Sequence, residues 1–520
     1  MQPSKRILWI DDEVDLFEPH LLFLRQRGYE VDSTTNGDDA LALARDQRYD
    51  LVLLDEQMPG KRGLEVLGEL RRAEPHARVV MVTKSEEDRT MMEAIGRRVD
   101  EYLVKPASPR QVLSVVTRLL EGSQLQQQRV AQDFASRFPA LQRARDDARD
   151  WRHYFELYDE LVEWELRLHD ANERGLLDTV DGFAVDVRRE FGNYVTREYA
   201  GWTSGRIDDR PPLSVDVVKQ WVAPEYDGRP LLFIIIDCLR LDQWRVIRPL
   251  LAQQFDITEH LYCSILPTAT PYARNAIFSG LYPEEIARRR PEWLASMDEG
   301  SLNSFEDELF RDQLRELLGK DVRVHYEKVF TDENADELVG RVRGAFKGKG
   351  VVTLVFNFVD LLTHGRSESA ILMEVARDVP ALRALTRQWF ERSAAYRVLR
   401  EAAGRGIKTI ITSDHGSIHC HRPVTIFARR DATSNLRYKF GLDLRAENPE
   451  AVYAAKNEKA LRFPPGRLAT NYLLALEDYF FVYPTKLREY QARYRGSFLH
   501  GGVSPEEMIL PVATMLPRPR

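Results

Sequence analysis

The sequence predicts an α/β multidomain chain, with two α/β domains joined by a helical bundle. Three observations predict it. Short apolar runs alternate with amphipathic stretches over residues 1–121. Aromatic and aliphatic residues at three- and four-residue spacing then dominate residues 122–212. Further β-rich runs alternate with helical stretches over residues 213–520. A chain of 520 residues is also too long for a single core.

In the first segment Arg6–Ile10, Glu30–Ser33, Leu51–Leu54, Val79–Val82 and Glu101–Val104 read as strands. Val14–Arg27, Gly37–Gln47, Gly63–Arg72, Asp88–Arg97 and Pro109–Leu120 read as the helices between and after them. This alternation gives a doubly wound parallel sheet whose ligands sit at the carboxyl ends of the strands. The Gln-rich run Ser123–Val130 marks a boundary. Beyond it Trp151, Tyr154, Phe155, Tyr158, Leu161, Trp164 and Leu168, then Phe183, Val187, Phe191, Val195 and Tyr199, keep a helical period and form the core of a bundle. Arg210-Pro211-Pro212 is the next boundary. Leu231–Ile236, Val322–Tyr326, Val351–Phe358 and Lys408–Thr412 read as strands of the second, larger α/β domain.

Hydrophobic residues at 43% and charged residues at 30% are ordinary for a globular protein. A formal net charge of −7 gives no global attraction to nucleic acid or to an anionic membrane. The helical segment carries no helix-turn-helix signal, so binding of duplex DNA is not expected. No apolar run approaches the ~18 residues of a membrane span. The short apolar stretch after Met1 ends in acids, unlike a signal peptide. Cys238, Cys263 and Cys420 cannot make a disulfide framework, and a cytoplasmic location is expected.

Asp11 and Asp12 follow the first strand, Asp55 follows the third, Thr83 ends the fourth and Lys105-Pro106 ends the fifth. Three carboxylates converging on one sheet edge repel one another unless a hard cation such as Mg²⁺ sits among them. That cation also neutralises phosphoryl oxygens as Asp55 attacks an activated phosphate. Lys105 adds a point charge, Thr83 can hydrogen-bond the new phosphate, and a cis Lys105-Pro106 bond would aim the lysine inward. These residues, with Asp55-Glu56-Gln57-Met58-Pro59-Gly60, Gly63 and Tyr102, resemble the receiver family of two-component response regulators from Lys5 to Leu120. The resemblance implies a flavodoxin-like (βα)5 fold, phosphorylation of Asp55, and a switch formed by Thr83, Tyr102 and Lys105.

Metal-ligand residue types recur in the C-terminal domain: Asp237, Asp360 with His364, Asp414-His415-Gly416, and His500-Gly501-Gly502. A lone strand-end Asp is usually a cap and a lone His usually structural, but three of each at four chain points are hard to explain that way. Carboxylate and imidazole together suit Zn²⁺, with Mn²⁺ left open. In Pro267-Thr268-Ala269-Thr270-Pro271, Pro271 suits the first helical position, which makes Thr270 a natural N-cap. Beside the ligand set, Thr270 is also the candidate nucleophile, a metal holding its hydroxyl as an alkoxide, with Thr268 as the fallback. His419, Cys420 and His421 could form a third metal site but read better as an incidental loop cluster. Arg288-Arg289-Arg290 reads as a solvated face.

The motifs Asp237-Cys238-Leu239-Arg240, Pro267-Thr268-Ala269-Thr270, Asp360-Leu361-Leu362-Thr363-His364, Ser413-Asp414-His415-Gly416 and His500-Gly501-Gly502 with Glu506-Glu507-Met508 resemble the PglZ-type branch of the alkaline phosphatase superfamily. The resemblance implies that Asp360, His364 and His500 hold one zinc and that Asp237, Thr270, Asp414 and His415 hold the other. Arg274 and Asn275 would contact the phosphate. Their spacing departs from nucleotide pyrophosphatase relatives, whose Asn lies three residues after the nucleophile.

The order of receiver, helical linker and PglZ-type domain resembles the PorX response regulators. That resemblance implies a PorY-like sensor histidine kinase partner, control of type IX secretion, dimerisation on phosphorylation, and zinc-dependent phosphodiesterase activity on cyclic and linear oligonucleotides. Two other readings fit the same residues. One is a phospho-dependent scaffold that binds a sigma factor or a secretion-motor component, with vestigial hydrolysis. The other is a phosphomonoesterase or a phosphoglycerate-mutase-like enzyme.

Overall fold

The computed structural model describes residues 5–73, 77–83, 99–295, 303–330, 335–366, 370–427, 435–455, 459, 461–463 and 471–519. It divides into two compact units. One comprises residues 1–136 with 170–173, the other residues 137–169 with 174–520.

The first unit holds strands β1 (Arg6–Ile10), β2 (Glu30–Thr34), β3 (Leu51–Asp55), β4 (Arg78–Thr83) and β5 (Glu101–Val104). They form a parallel sheet in the order β2-β1-β3-β4-β5. This is the flavodoxin-like order, with its switch point between β1 and β3. Helices α1 (Glu18–Gln26), α2 (Gly37–Asp46), α3 (Gly63–Ala73) and α4 (Pro109–Leu120) flank it. The helix expected from Val14 begins as a 3-10 turn over Val14–Phe17, and α1 proper starts one residue before Pro19. The helix expected over Asp88–Arg97 lies outside the described residues. β3 is buried throughout, as a central parallel strand covered on both faces must be.

Helix α5 (Gly122–Asp146) follows, then α6 (Trp151–Asp170) and α7 (Arg174–Ser204). Tyr154, Phe155, Tyr158 and Val162 of α6 and Phe191, Tyr194, Val195, Tyr199 and Trp202 of α7 belong to one hydrophobic core with Leu232, Ile234 and Leu354 of the second sheet. The aromatic period of these helices is thus core packing.

The second sheet contains β6 (Leu231–Ile236), β7 (Phe255–Cys263), β8 (Val324–Val329), β9 (Val351–Phe356), β10 (Lys408–Thr412) and β11 (Ile509–Pro517), in the order β7-β11-β10-β6-β9-β8. Strands β8, β9, β6 and β10 run parallel; β11 runs against them beside β10, and β7 pairs antiparallel with β11 at the edge. β6 and β9 are fully buried. Two strand expectations are corrected. The run from Val351 leaves the sheet at Phe356, and Phe358 opens helix α12 defined below, so Asp360 stands on a helix and not at a strand end. The run from Val322 pairs only over Val324–Val329.

Between these strands lie α8 (Leu241–Leu251), α9 (Thr270–Ser279), α10 (Glu306–Leu318), α11 (Ala335–Ala345), α12 (Phe358–Arg366), α13 (Val379–Arg392) and α14 (Ala394–Gly404). Small sheets drawn from residues 418–427, 438–455, 471–482 and 497–499 lie in the same unit.

Candidate active sites

At the first sheet edge, Asp11 and Asp55 are fully buried, and Lys105 Nζ lies 2.8 Å from an oxygen of each. Burial raises the Asp55 pKa above its ordinary value, against the opposing pull of Lys105. Asp11, Asp12 and Asp55 each offer an oxygen, and these oxygens lie within 4.8 Å of one another, a donor set suited to a hard cation. Thr83 ends β4 buried, its carbonyl accepting from Lys105 N at 2.8 Å, and Tyr102 sits half-buried on β5. The Lys105–Pro106 peptide is cis.

At the second sheet edge, a sharp turn after β6 places Asp237, and Cys238 adopts the left-handed region at φ 65°. A non-glycine residue holds that conformation only where its surroundings fix it. Cys238 N donates to Asp414 Oδ1 at 3.2 Å, which ties the ends of β6 and β10 together. Asp237 Oδ2 accepts from Arg274 Nη1 at 2.6 Å and Asn357 Nδ2 at 2.9 Å. Its Oδ1 faces Thr270 Oγ1 at 3.4 Å and His415 Nε2 at 3.6 Å. Burial, reinforced by the charge of Asp414, pushes the Asp237 carboxyl well above its ordinary range.

Thr270 is the first residue of α9, behind Ala269 as N-cap, so Pro271 falls one position later than the sequence suggests. Its hydroxyl caps nothing; it stands 2.9 Å from His415 Nε2. Thr268 is fully buried and its hydroxyl is committed, donating to Gly502 O at 2.9 Å and accepting from Gly501 N at 3.0 Å.

Asp360 and His364 lie four residues apart on α12 and so share a face. His364 Nε2 is 2.9 Å from His500 Nε2, and Asp360 Oδ1 is 3.4 Å from the former and 3.6 Å from the latter. His500 Nδ1 donates to Thr268 O at 3.1 Å, and His415 Nδ1 to Gly416 O at 3.1 Å. Each bond leaves Nε2 with its lone pair turned into the site, the arrangement of a metal-ligating imidazole. Burial, with His415 close by, drives the His500 pKa well below its ordinary value. Burial opposes ionisation of Asp360, but His364, His500 and His415 around it hold its carboxyl below the usual range.

Two donor sets emerge: Asp360, His415 and His500, and Asp237, Asp414 and His415, each with ligand atoms within 4.8 Å of one another. His415 belongs to both. Asp360 Oδ1 and Asp414 Oδ2 are buried without a hydrogen-bond partner among the described residues. Buried carboxylate oxygens left without a donor are costly unless a cation meets them. Two converging sets of carboxylate and neutral imidazole fit divalent metals.

Arg274, expected to touch phosphate, lies fully buried between Asp237 and Glu306, with Nε 2.7 Å from Glu306 Oε1. Tyr326 OH also donates to Glu306. Asn275 Nδ2 donates to Pro271 O at 2.7 Å and Asn303 Oδ1 at 3.2 Å. His419 Nε2 is bonded to Gly496 O at 2.7 Å and His421 Nε2 to His419 Nδ1 at 3.2 Å; no metal donor set forms there among the described residues. Arg288, Arg289 and Arg290 each pair with acids.

Sequence reasoning missed Asn357, Glu306 and Arg437, and it quoted Glu507 within a motif without its buried pairing to Arg437. Glu507 Oε1 accepts from Gly502 N at 2.8 Å and so holds the loop carrying His500. Its signal was present: Ser504-Pro505-Glu506-Glu507 has capping-box spacing, and Ser504 Oγ accepts from Glu507 N. Asn357 and Glu306 carry no such local signature.

Comparison with known proteins gives three family matches: a response regulator receiver domain at residues 7–117, the PorX response regulator linker domain at 124–203, and the BREX system PglZ alkaline phosphatase-like domain at 217–515. The transcriptional regulatory protein ResD of Bacillus subtilis (strain 168) is 37% identical over 117 residues, 22% of this chain and 48% of that protein. PhoP, the alkaline phosphatase synthesis transcriptional regulatory protein of the same organism, is 31% identical over 122 residues, 24% of this chain and 51% of that protein. The chain thus spans about half the length of these curated relatives. Among solved structures, the response regulator TrrA from Thermotoga maritima in complex with Mg²⁺-BeF is 38% identical, covering 22% of this chain and 100% of that one, with a TM-score of 0.21. A CheY-like receiver from Methanospirillum hungatei JF-1 is 29% identical, covering 23% and 95%, with a TM-score of 0.21. No helix among the described residues is long and apolar enough to cross a membrane. A receiver implies a cognate histidine kinase, and both end domains are of kinds that generally bind divalent metals. Receiver, linker and alkaline phosphatase-like domain follow one another in that order, and the chain belongs to the PorX-type response regulators.

Proposed function

We propose that this response regulator is phosphorylated on Asp55 and that its C-terminal domain is a two-zinc phosphodiesterase using Thr270 as nucleophile. The carrying observation is the Thr270 hydroxyl at the N-terminus of α9, 2.9 Å from His415, the residue common to both donor sets. Two bound zinc ions would acidify that hydroxyl and screen the phosphoryl oxygens.

Asp237, Asp414 and His415 would hold one ion, and Asp360, His364 and His500 the other. The positive end of the α9 dipole would face the bound phosphate. Thr270 Oγ1 attacks phosphorus, the bond to the leaving alkoxide breaks, and the alcohol departs with a proton. Water then cleaves the threonyl ester to release a phosphomonoester and restore the hydroxyl. Asn357 and Arg274 keep Asp237 oriented throughout.

The placement of Arg274 favours a diester over a monoester. A monoester carries about one more negative charge at neutral pH, yet this guanidinium is already bridged between Asp237 and Glu306. Cyclic and linear oligonucleotides are the proposed substrates, a PorY-like kinase the phosphate donor, magnesium at Asp11, Asp12 and Asp55 its cofactor, and type IX secretion the process served. Hydrolysis of bis-p-nitrophenyl phosphate and short oligonucleotides, with p-nitrophenyl phosphate beside them, tests the reading. Diester turnover that is lost in Thr270→Ala supports it; faster monoester turnover, or full activity in Thr270→Ala, overturns it. Light scattering with and without beryllium fluoride tests dimerisation, which an unchanged mass would rule out.

A further inference from the structure

Helix α7 lies outside the catalytic sheet but touches two of the loops that build the site. Tyr199 is fully buried, and its hydroxyl accepts a hydrogen bond from Leu266 N at 2.8 Å. Leu266 opens the segment that runs through Pro267 and Thr268 to Thr270. On the same helix Arg188 Nε donates to Glu506 Oε1 at 2.6 Å, with the Glu506 side chain 6% exposed. Positions 188 and 199 are about three helical turns apart, so they share a face, separated by about 16 Å along the axis.

Glu506 bears on the metal turn through its backbone. A Cβ built on Gly416 would lie 2.0 Å from the Glu506 carbonyl oxygen, and Gly416 N donates to Glu507 O at 3.0 Å. Gly416 directly follows Asp414 and His415. From the other side, Arg240 Nη1 donates to Ser417 O at 3.1 Å while Arg240 Nε pairs with Asp242 at 2.8 Å. Arg383 Nη1 then lies 3.4 Å from Asp242 and 3.3 Å from Glu165 of α6. Arg240, Asp242, Arg383 and Glu506 are buried charges with no water to turn to when a partner is lost, while Arg188 reaches Glu506 with its own side chain 23% exposed, so loss of Arg188 is felt chiefly at Glu506.

We propose that α7 is a positioning element of the catalytic site, Tyr199 setting the approach of the Thr270 loop and Arg188 setting the Asp414–His415 turn through Glu506. Its kinetic arm rests on the phosphodiesterase reading; its metal arm does not.

The test uses the full-length chain with Tyr199→Phe, Arg188→Met and, as the conservative change, Arg188→Lys. Zinc affinity is read by competition with a chelating dye, kcat and KM on bis-p-nitrophenyl phosphate, and unfolding temperature in excess zinc. Arg188→Met is expected to weaken one of the two zinc sites about tenfold, with Arg188→Lys restoring most of it. Tyr199→Phe is expected to lower kcat about tenfold while KM and zinc affinity stay within about twofold. Unchanged zinc affinity in Arg188→Met together with unchanged kcat in Tyr199→Phe overturns the proposal. So do losses that merely follow a general fall in unfolding temperature. If the unmodified chain binds zinc but hydrolyses nothing, the phosphodiesterase reading fails and the zinc competition alone decides this one.

Discussion

At the receiver edge two buried carboxylates meet one lysine, with a third, more exposed carboxylate beside them, whereas at the edge of the larger sheet carboxylates alternate with imidazoles around a hydroxyl. Both edges gather the carboxyl ends of parallel strands, so topology does not separate them. The proposed nucleophile does. Asp55 is an acid whose anion needs only a counter-charge, which Lys105 and a hard cation would supply. Thr270, as the proposed nucleophile, would have to lose a far more tightly held proton, and mixed carboxylate and imidazole ligation beside it suits a stronger Lewis acid.

The sharpest way to break this comparison is to remove each proposed nucleophile. Thr270→Ala should lower kcat by 10³-fold or more, ~4 kcal/mol of barrier, with zinc content unchanged by elemental analysis. Asp55→Asn should abolish phosphate uptake from acetyl phosphate, followed by phosphate-affinity electrophoresis, without touching hydrolysis by the unphosphorylated chain. A zinc-selective chelator in magnesium buffer should next separate the metals: hydrolysis falls about 100-fold or more, while Asp55 phosphorylation persists. Equal loss at both sites would mean that the ligand chemistry does not divide as argued.

Arg274→Met should cost about 3–5 kcal/mol in urea unfolding, because it strands Asp237 and Glu306 as buried acids. Arg274→Lys should recover only part of that, since a single ammonium cannot reproduce the two-sided fork. In the receiver Lys105 likewise bridges two buried acids, Asp11 and Asp55, but its own side chain is 11% exposed, so Lys105→Met should also be costly, and milder only as far as water reaches the stranded acids.

The smallest expected effect is a pH dependence. Burial raises the Glu165 carboxyl from its ordinary 4.5 to about 7, partly offset by Arg383, Arg188 and Arg240 and reinforced by Asp242. Its folded value exceeds its unfolded one, so its contribution to stability is complete below about pH 4.5 and is lost as pH rises through about 7. Glu165→Gln should therefore flatten the difference in unfolding free energy between pH 5 and pH 8 by at most about 3 kcal/mol. An identical pH profile in the variant would contradict the burial argument.

The receiver was legible nearly throughout because its signals are local: periodic helices, buried strands, and acids at strand ends. The larger unit was less so. Strand β7, Phe255–Cys263, carries Asp256, Glu259 and His260 and alternates exposed with half-buried residues over 256–261, so it lacks the apolar run of a central strand. Asp360 was read one element too early because the apolar run of β9 continues into the first turn of α12. The i, i+4 spacing to His364 carried the correct answer. Asn357, Glu306 and Arg437 owe their importance to partners 120, 32 and 70 residues away, which no local pattern announces.

The glycine at 416 has a consequence for how such chains can vary. Its missing side chain admits the Glu506 carbonyl, so a hydrogen atom gauges the gap between two turns that share no sequence neighbourhood. Any larger residue there would push the 504–508 segment outward. The grip of Glu507 on Gly502 and Arg437 would go with it. Drift at position 416 is thus tied to drift ninety residues downstream, and the two turns can change only as a matched pair.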